Sequence, residues 1–249
     1  MLSPPTHYQR ILLKLSGEAL NTDSAGTSSN PSIEKGPLNL SIVTRIAQEI
    51  ATLVAHNVQV GIVIGGGNWF RGVSGSALGL ERITADQVGM LATVMNALML
   101  RDLLTQQGLA VSMMSAIPIG HLIEPFERVR AKQYLQEGKV MLFAGGTGHP
   151  FVTTDAAASL RALEIEADIL LKATSVDGIY SEDPYQNPKA IRYTHLTYQE
   201  VLQKELKVMD LAAFIQCRDH NLPIRVFNIY CPNNLTHILQ GEPIGTLVN

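Results

Sequence analysis

The chain predicts an α/β fold, an open and mostly parallel sheet sandwiched between helices. Three observations point there. Short apolar runs of strand length alternate with longer segments of helical spacing across its 249 residues. Those runs are continuously apolar rather than alternating, as in strands covered on both faces. Three of them end directly in glycine, at Ser16-Gly17, Gly65-Gly66-Gly67 and Gly145-Gly146-Thr147-Gly148.

Residues 10–15, Arg-Ile-Leu-Leu-Lys-Leu, read as a buried strand with Lys14 near its end. Residues 21–37 cluster Ser, Asn, Gly and Pro and read as a polar loop insertion. From 39 to 56, Ile42, Val43, Ile46, Ile50, Leu53 and Val54 follow helical spacing, with Asn39 or Ser41 as the cap. Residues 58–64 are a second buried strand. A long helix at 85–107 stops at Gly108, a residue suited to the left-handed position after a helix. A strand at 110–114 follows, then a helix at 123–136 with Pro125 in its first turn. Residues 139–144 are strand, 153–167 helix and 168–172 strand. Residues 174–190 carry Gly178, Pro184 and Pro188 and read as an irregular excursion or small hairpin. Helices at 198–205 and 210–220, a strand at 224–227 and a short helix at 233–239 complete the pattern. No linker or internal repeat divides the chain, so one domain, 1–249, is expected.

Composition excludes several classes. Only 16% of residues are charged, the net charge is −3, and 46% are hydrophobic, which rules out a disordered chain. A pI near 6.2 argues against nucleic-acid binding by a broad basic face. The apolar stretch near 88–104 is interrupted by Asn96, Arg101 and Asp102, predicting a buried helix and no membrane span. The N-terminus lacks the basic and apolar regions of a signal peptide. Cys217 and Cys231 form no CxxC pair, and Cys217 with His220 lacks the second ligand pair of a zinc site. Buried thiols in a reduced, cytoplasmic protein without a metal site of its own are expected.

The glycine turns fall where open parallel sheets bind ligands, at the carboxyl ends of strands. Glycine there allows positive φ and close backbone approach, and exposed N–H groups with a helix N-terminus hold phosphate. Three such turns on one edge suggest a nucleotide or polyphosphate. There is no GxxxxGK[ST], and Gly65-Gly66-Gly67-Asn68-Trp69-Phe70 lacks the third glycine of GxGxxG. Neither GxSxG nor HExxH occurs.

One ordered set of motifs carries a resemblance. It comprises Lys14-Leu15-Ser16-Gly17-Glu18, Gly65-Gly66-Gly67-Asn68-Trp69-Phe70-Arg71-Gly72, Gly146-Thr147-Gly148-His149-Pro150-Phe151, Thr153-Thr154-Asp155, Lys172-Ala173-Thr174, Val176-Asp177-Gly178 and Asp183-Pro184. The stretches Glu205 to Leu211 and Leu222 to Asn228 extend it. The set resembles the bacterial UMP kinases of the amino acid kinase superfamily, over roughly residues 8–248 apart from the 21–37 loop.

The resemblance implies the amino acid kinase fold and the reaction ATP + UMP → ADP + UDP in pyrimidine nucleotide and CTP biosynthesis. It implies Lys14, Arg71, Asp155 and Lys172 as the catalytic set, with Asp155 orienting the two lysines. It places Lys14, Leu15, Ser16, Gly17, Gly67, Arg71, Thr174, Tyr180 and Asp183 on the ATP side. Gly66, Asp86, Thr147, Gly148, His149, Pro150, Phe151, Val152, Thr153 and Thr154 fall on the UMP side. Taken alone, Lys14 has a second reading as a lysine snorkelling from a strand end, but its buried strand and the following Ser16-Gly17 favour a phosphate contact, whereas Asp86 and Asp155 read as ordinary aspartates at helix starts. The resemblance further implies Mg²⁺ with ATP, a homohexamer, inhibition by UTP and activation by GTP. Two departures stand out. The 21–37 loop replaces a compact Gly-rich segment of many relatives, which leaves GTP activation open, and His149 stands where relatives can carry asparagine. Asp210 stays outside the catalytic set. A superfamily kinase with an amino acid or carbamate acceptor, and a non-catalytic nucleotide-binding protein, remain the alternatives.

Overall fold

The apolar run that opens the pattern forms strand β1, Arg10–Leu15, with every residue after Arg10 buried. The computed structural model describes residues 7–20, 38–70, 79–206 and 209–249. After β1 come α1 (Leu40–Ala55), β2 (Gln59–Ile64), α2 (Arg82–Gln106), β3 (Val111–Ser115), β4 (Glu124–Pro125), α3 (Arg128–Gln136), β5 (Val140–Ala144) and α4 (Thr154–Glu164). They are followed by β6 (Ile169–Thr174), β7 (Ile179–Tyr180), β8 (Arg192–Tyr193), β9 (His195–Leu196), α5 (Tyr198–Gln203), α6 (Leu211–Asp219), β10 (Ile224–Asn228), α7 (Asn234–Leu239) and β11 (Thr246–Val248).

One sheet has the strand order β4-β3-β5-β2-β1-β6-β10-β11-β9, and β7 pairs with β8 in a separate antiparallel ribbon. Within the large sheet only β10 and β11 pair antiparallel. Successive side chains of a strand point to opposite faces. Ile11, Leu13 and Leu15 therefore join the core beneath α1, α2 and α7, and Leu12 joins the core beneath α3, α4, α5 and α6. Lys14 shares the second face with Leu12, which directs its ammonium toward α4.

The helix at 39–56 forms as its spacing predicts. Ile42, Val43, Ile46, Ile50 and Leu53 are buried, and Asn39 is the cap, its side chain accepting from the amides of Ser41 and Ile42 at 3.1 and 3.3 Å. The expected helix at 123–136 begins only at Arg128. Glu124–Pro125 pairs with β3 at the sheet edge, where proline's missing N–H is tolerated. The Glu127 carboxylate then caps the helix, accepting from the amides of Val129 and Arg130 at 2.9 and 2.7 Å. The excursion at 174–190 contributes β7, whose partner β8 lies just beyond it. Strands β9 and β11 were not expected; at two and three residues they are too short to show a pattern.

Helix α2 is half-buried rather than buried. Leu100 and Leu104 are fully enclosed, whereas Ile83, Leu91 and Met95 are exposed. By length and composition α2 could cross a membrane; here its inner side packs on β2, β3 and β5. Cys217 is buried, and burial pushes its thiol up to about 12. Cys231 is exposed, against the expectation of two buried thiols.

Replacing Asn39 by alanine leaves two first-turn amides of α1 without their side-chain acceptor. Asn39→Ala should lower unfolding stability by about 1 kcal/mol. Urea titration should show the midpoint falling with an unchanged slope; an unmoved midpoint would show that this cap contributes nothing.

Candidate functional site

Parallel pairing of β1 with β6 places Lys14 opposite Lys172. Their ammonium groups are brought together on the α4 face, where like charges repel. Asp155, in the first turn of α4, stands between them. Lys172 Nζ donates to Asp155 Oδ2 at 2.7 Å, and Lys14 Nζ pairs with Oδ1 at 2.9 Å. Both lysines are nearly buried, at 9% and 8% exposure. Burial disfavours the charge of Asp155, but the ammonium groups of Lys14 and Lys172 outweigh it and hold the carboxyl below its ordinary value. Burial, reinforced by the Lys14 charge, pushes Lys172 below the ordinary lysine value although Asp155 opposes the shift. The trio carries one net positive charge at the N-terminus of a helix, a position suited to an anion.

The turns after β1 and β2 touch each other. A Cβ on Gly17 would lie 2.4 Å from Asn68 Oδ1 and 2.7 Å from the Gly65 carbonyl oxygen. A Cβ on Gly66 would lie 2.7 Å from the Ala92 Cβ and 2.8 Å from the Gly89 carbonyl oxygen of α2. Glycine is therefore required at both positions for close packing, whatever binds above them.

The segment after β5 forms the facing wall. Gly145, Gly146 and Gly148 have φ of 76°, 59° and 81°, and the Gly145 amide donates to Thr93 Oγ1 at 2.8 Å. Phe151 also has positive φ, 68°. Its amide donates to Asp86 Oδ2 at 2.8 Å, which helps hold this conformation. Arg82 donates to Asp86 through Nε at 2.9–3.0 Å and lays its guanidinium 5.5 Å from the Phe151 ring centre. Thr153 caps α4 by accepting from the Ala156 amide at 3.2 Å, and its hydroxyl donates to Asp210. Asp210 in turn caps α6, accepting from the Ala213 amide at 2.8 Å.

These walls enclose a cleft of about 620 Å³. Of the residues expected from sequence, Lys14, Gly66, Gly67, Asp86, Thr147, His149, Val152, Thr153, Thr154 and Asp155 line it. Lys172 is tied to it through Asp155. Leu15 is buried in the core, and Gly17 lies in the turn packed on Gly65. Ser16 belongs to that same turn, its carbonyl accepting from the Leu20 amide at 3.3 Å. Gly148, Pro150 and Phe151 belong to the facing loop without lining the cleft. Thr174, Tyr180 and Asp183 are also outside its lining. Thr174 Oγ1 accepts from the Val176 amide at 3.3 Å, the Tyr180 hydroxyl donates to Asp177, and Asp183 accepts from the Tyr185 amide at 2.9 Å. Arg71 lies outside the described residues.

Sequence reasoning missed Phe70 beyond β2, Gly146 beyond β5, and Arg82, Gly89, Met90 and Thr93, which join Asp86 on the α2 wall. The Arg82–Asp86 spacing of four was a readable signal of a helix pair. Thr93 and Asn96, polar residues within an apolar helix, were another. Chemically, the cleft is lined by the Lys14 ammonium, the Arg82 guanidinium and the hydroxyls of Thr147, Thr153 and Thr154 beside Gly66, Gly67 and Gly146, groups suited to phosphate oxygens.

A carboxyl whose folded-state pKa lies below its unfolded value stabilises the fold fully above the unfolded value. That stabilisation is lost as pH falls through the folded value. The stability advantage of the native chain over Asp155→Asn should therefore be constant at neutral pH, narrow below about pH 4 and vanish once Asp155 is protonated. Denaturant midpoints of both proteins across this range test it; a pH-independent gap would contradict it.

The amino acid kinase family profile matches residues 9–228. The uridylate kinase of Coxiella burnetii is 50% identical over 248 residues, covering 99% of this chain and 97% of that one. The uridylate kinase of Pectobacterium atrosepticum is 51% identical over 97% of this chain and 96% of its own. The crystal structure of UMP kinase from Bacillus anthracis superposes with a TM-score of 0.88 at 42% identity, covering 97% of this chain and 96% of that one. Uridylate kinase from Archaeoglobus fulgidus gives a TM-score of 0.69 at 28% identity, over 96% and 99% of the two chains. The chain belongs to the amino acid kinase family, and within it to the uridylate kinases.

Proposed function

We propose that this protein transfers the γ-phosphoryl group of ATP to UMP, giving ADP and UDP. The observation that carries the proposal is the Lys14–Asp155–Lys172 trio beside a cleft also lined by Asp86, Thr147, His149, Val152, Thr153 and Thr154. An oxygen of the UMP phosphate attacks the γ-phosphorus, and the bond to the β,γ-bridging oxygen breaks, leaving ADP. That oxygen is already anionic near neutral pH, so no general base is required. Catalysis then consists of bringing two polyanions together and neutralising charge on the moving group. Lys14 reaches the transferring phosphoryl group, with Lys172 beside it, and Asp155 positions both. Amides and hydroxyls from Thr147 to Thr154 hold the UMP phosphate, and Asp86 accepts from the ribose hydroxyls.

Lys14, Leu15, Ser16, Gly17, Gly67, Arg71, Thr174, Tyr180 and Asp183 belong to the ATP side in this reading. Mg²⁺ delivered on ATP would supply further charge neutralisation at its phosphate oxygens. Among the described residues, no group of three His, Cys, Asp or Glu side chains forms a cage of its own, and both Asp155 oxygens face lysines. That donor set suits a cation delivered on the nucleotide.

The reading extends to a single domain spanning 1–249 that works in the cytoplasm as a homohexamer, in pyrimidine nucleotide and CTP biosynthesis. The continuous sheet supports one domain. The exposed Leu91 and Met95 on α2 offer apolar surface for subunit contact. UTP, sharing the uridylate moiety, would inhibit at the UMP site. The 21–37 loop, whose departure from the compact Gly-rich segment of many relatives leaves GTP activation open, lies outside the described residues.

Lys14→Ala should lower kcat by about 10²–10³-fold, the usual cost of removing a transition-state charge donor, without changing the circular dichroism spectrum. Near-normal turnover would remove Lys14 from the mechanism. Asp86→Asn should raise KM for UMP by about tenfold and leave KM for ATP unchanged. Equal change in both constants, or none, would remove Asp86 from the acceptor site. Assays with UMP, CMP and dCMP, with and without GTP, test acceptor choice and activation together.

A further inference from the structure

Helix α2 has apolar residues around most of its circumference, yet Thr93 and Asn96 stand three residues apart on its buried side. Asparagine is a poor choice for a helix interior, and an amide removed from water is costly unless every polar atom finds a partner. Asn96 is fully buried, at 0% exposure, and all four of its hydrogen-bonding positions are filled. Its Nδ2 donates to the Gly65 carbonyl and to Asn68 Oδ1, both at 2.7 Å. Its Oδ1 accepts from Trp69 Nε1 at 2.8 Å and Asn68 Nδ2 at 3.1 Å. The backbone at Gly17 leans on the same amides, since a Cβ there would lie 3.1 Å from Asn96 Nδ2. One turn back, Thr93 Oγ1 accepts from the Gly145 amide at 2.8 Å while donating to the Met90 carbonyl at 2.7 Å.

Two side chains of one helix therefore hydrogen-bond two of the glycine turns at the sheet edge, and Asn96 closes the space a side chain would need at Gly17 in the third. We propose that Thr93 and Asn96 are positioning residues that set the three turns against one another, and through them the separation of the two bound nucleotides. This inference rests on the two-nucleotide reading above. The turns after β1 and β2 carry the residues placed against ATP and Gly66, and the turn after β5 carries the residues placed against the UMP phosphate. An unconstrained helix could slide or rotate slightly against the sheet without losing much apolar contact. Directional bonds to Gly65 and Gly145 resist that motion. Phosphoryl transfer is sensitive to such a shift, because a displacement of about 1 Å can lower the rate about a hundredfold.

The test compares native protein with Thr93→Val, Asn96→Leu and Trp69→Phe, each measured for kcat, both KM values and melting temperature. Leu104→Ala, a fully buried apolar site on the same helix, is the packing control. Asn96→Leu should raise both KM values and lower kcat at least about tenfold at a temperature where it is folded. Thr93→Val, which keeps shape but loses the hydroxyl, should raise KM for UMP and lower kcat while KM for ATP changes little. Trp69→Phe removes the indole N–H together with the five-membered ring that carries it and should shift the constants as Asn96→Leu does, by about threefold, so it decides the matter if Asn96→Leu does not fold. Leu104→Ala should lose melting temperature with kcat and both KM values unchanged. The proposal is overturned if Thr93→Val and the Asn96 or Trp69 variant lose only melting temperature, like the control. If native protein forms no UDP from ATP and UMP, the proposed function fails separately. ATP binding is then followed through the fluorescence of Trp69, the chain's single tryptophan, in native protein and Asn96→Leu. Equal affinity overturns the inference, and weaker binding by Asn96→Leu sustains it.

Discussion

Two ammonium groups held side by side at the carboxyl end of a parallel sheet constrain everything built around them. β1 and β6 must pair in the register that sets Lys14 against Lys172, and that juxtaposition is unfavourable without an anion. Asp155 supplies the anion in the described structure. It can do so only because α4 begins directly after the glycine- and threonine-rich loop and points its first turn at both strands. The cleft is consequently poised for a further negative charge. One carboxylate faces two lysines, leaving an excess positive charge beside amides and hydroxyls that carry none. Phosphate oxygens can complete the arrangement.

The glycines serve a related end through packing. Gly17 and Gly66 are places where a side chain would collide with backbone or with α2, so the turns approach each other and the helix closely. Close approach lets Gly66, Gly67 and Gly146 line the cleft with backbone rather than side chains, and α2 packs against the turns. The low charge content of the chain is compatible with binding two polyanions for this reason: much of the donor capacity is backbone and hydroxyl. The few charges in the cleft matter through placement rather than number.

Much of the fold was legible because its signals are local. Continuous apolar runs marked the inner strands, and the spacing from Ile42 to Leu53 marked α1. Elements whose existence depends on distant partners were not legible. Glu124–Pro125 is strand only because β3 lies beside it, and Thr246–Val248 only because β10 does. The site divides the same way. Its glycine turns showed in the residues themselves, and the roles proposed for Asp86 and Asp155 come from the family resemblance. The partnership of Lys14 with Lys172 spans more than 150 positions and is fixed by register, which no local pattern encodes. Asn96 looked like an interruption of an apolar helix, because its partners Gly65, Asn68 and Trp69 are brought to it only by folding. Helix α2 was expected to be buried and proved half-exposed, since periodicity does not reveal how far a sheet covers a long helix.

Asp155 holds two buried lysines together, and the cost of losing that pairing can be separated from the cost of the buried group as a whole. Removing one partner of a buried ionic group costs about 3–5 kcal/mol, whereas replacing the whole group by apolar residues is often neutral or stabilising. The most direct measurement compares denaturant stability at pH 7 of Asp155→Asn with that of the triple variant Lys14→Met, Asp155→Leu, Lys172→Met. The single variant should be strongly destabilised, and the triple variant should recover most of the loss while making no UDP. A triple variant no more stable than the single one would contradict this role of Asp155.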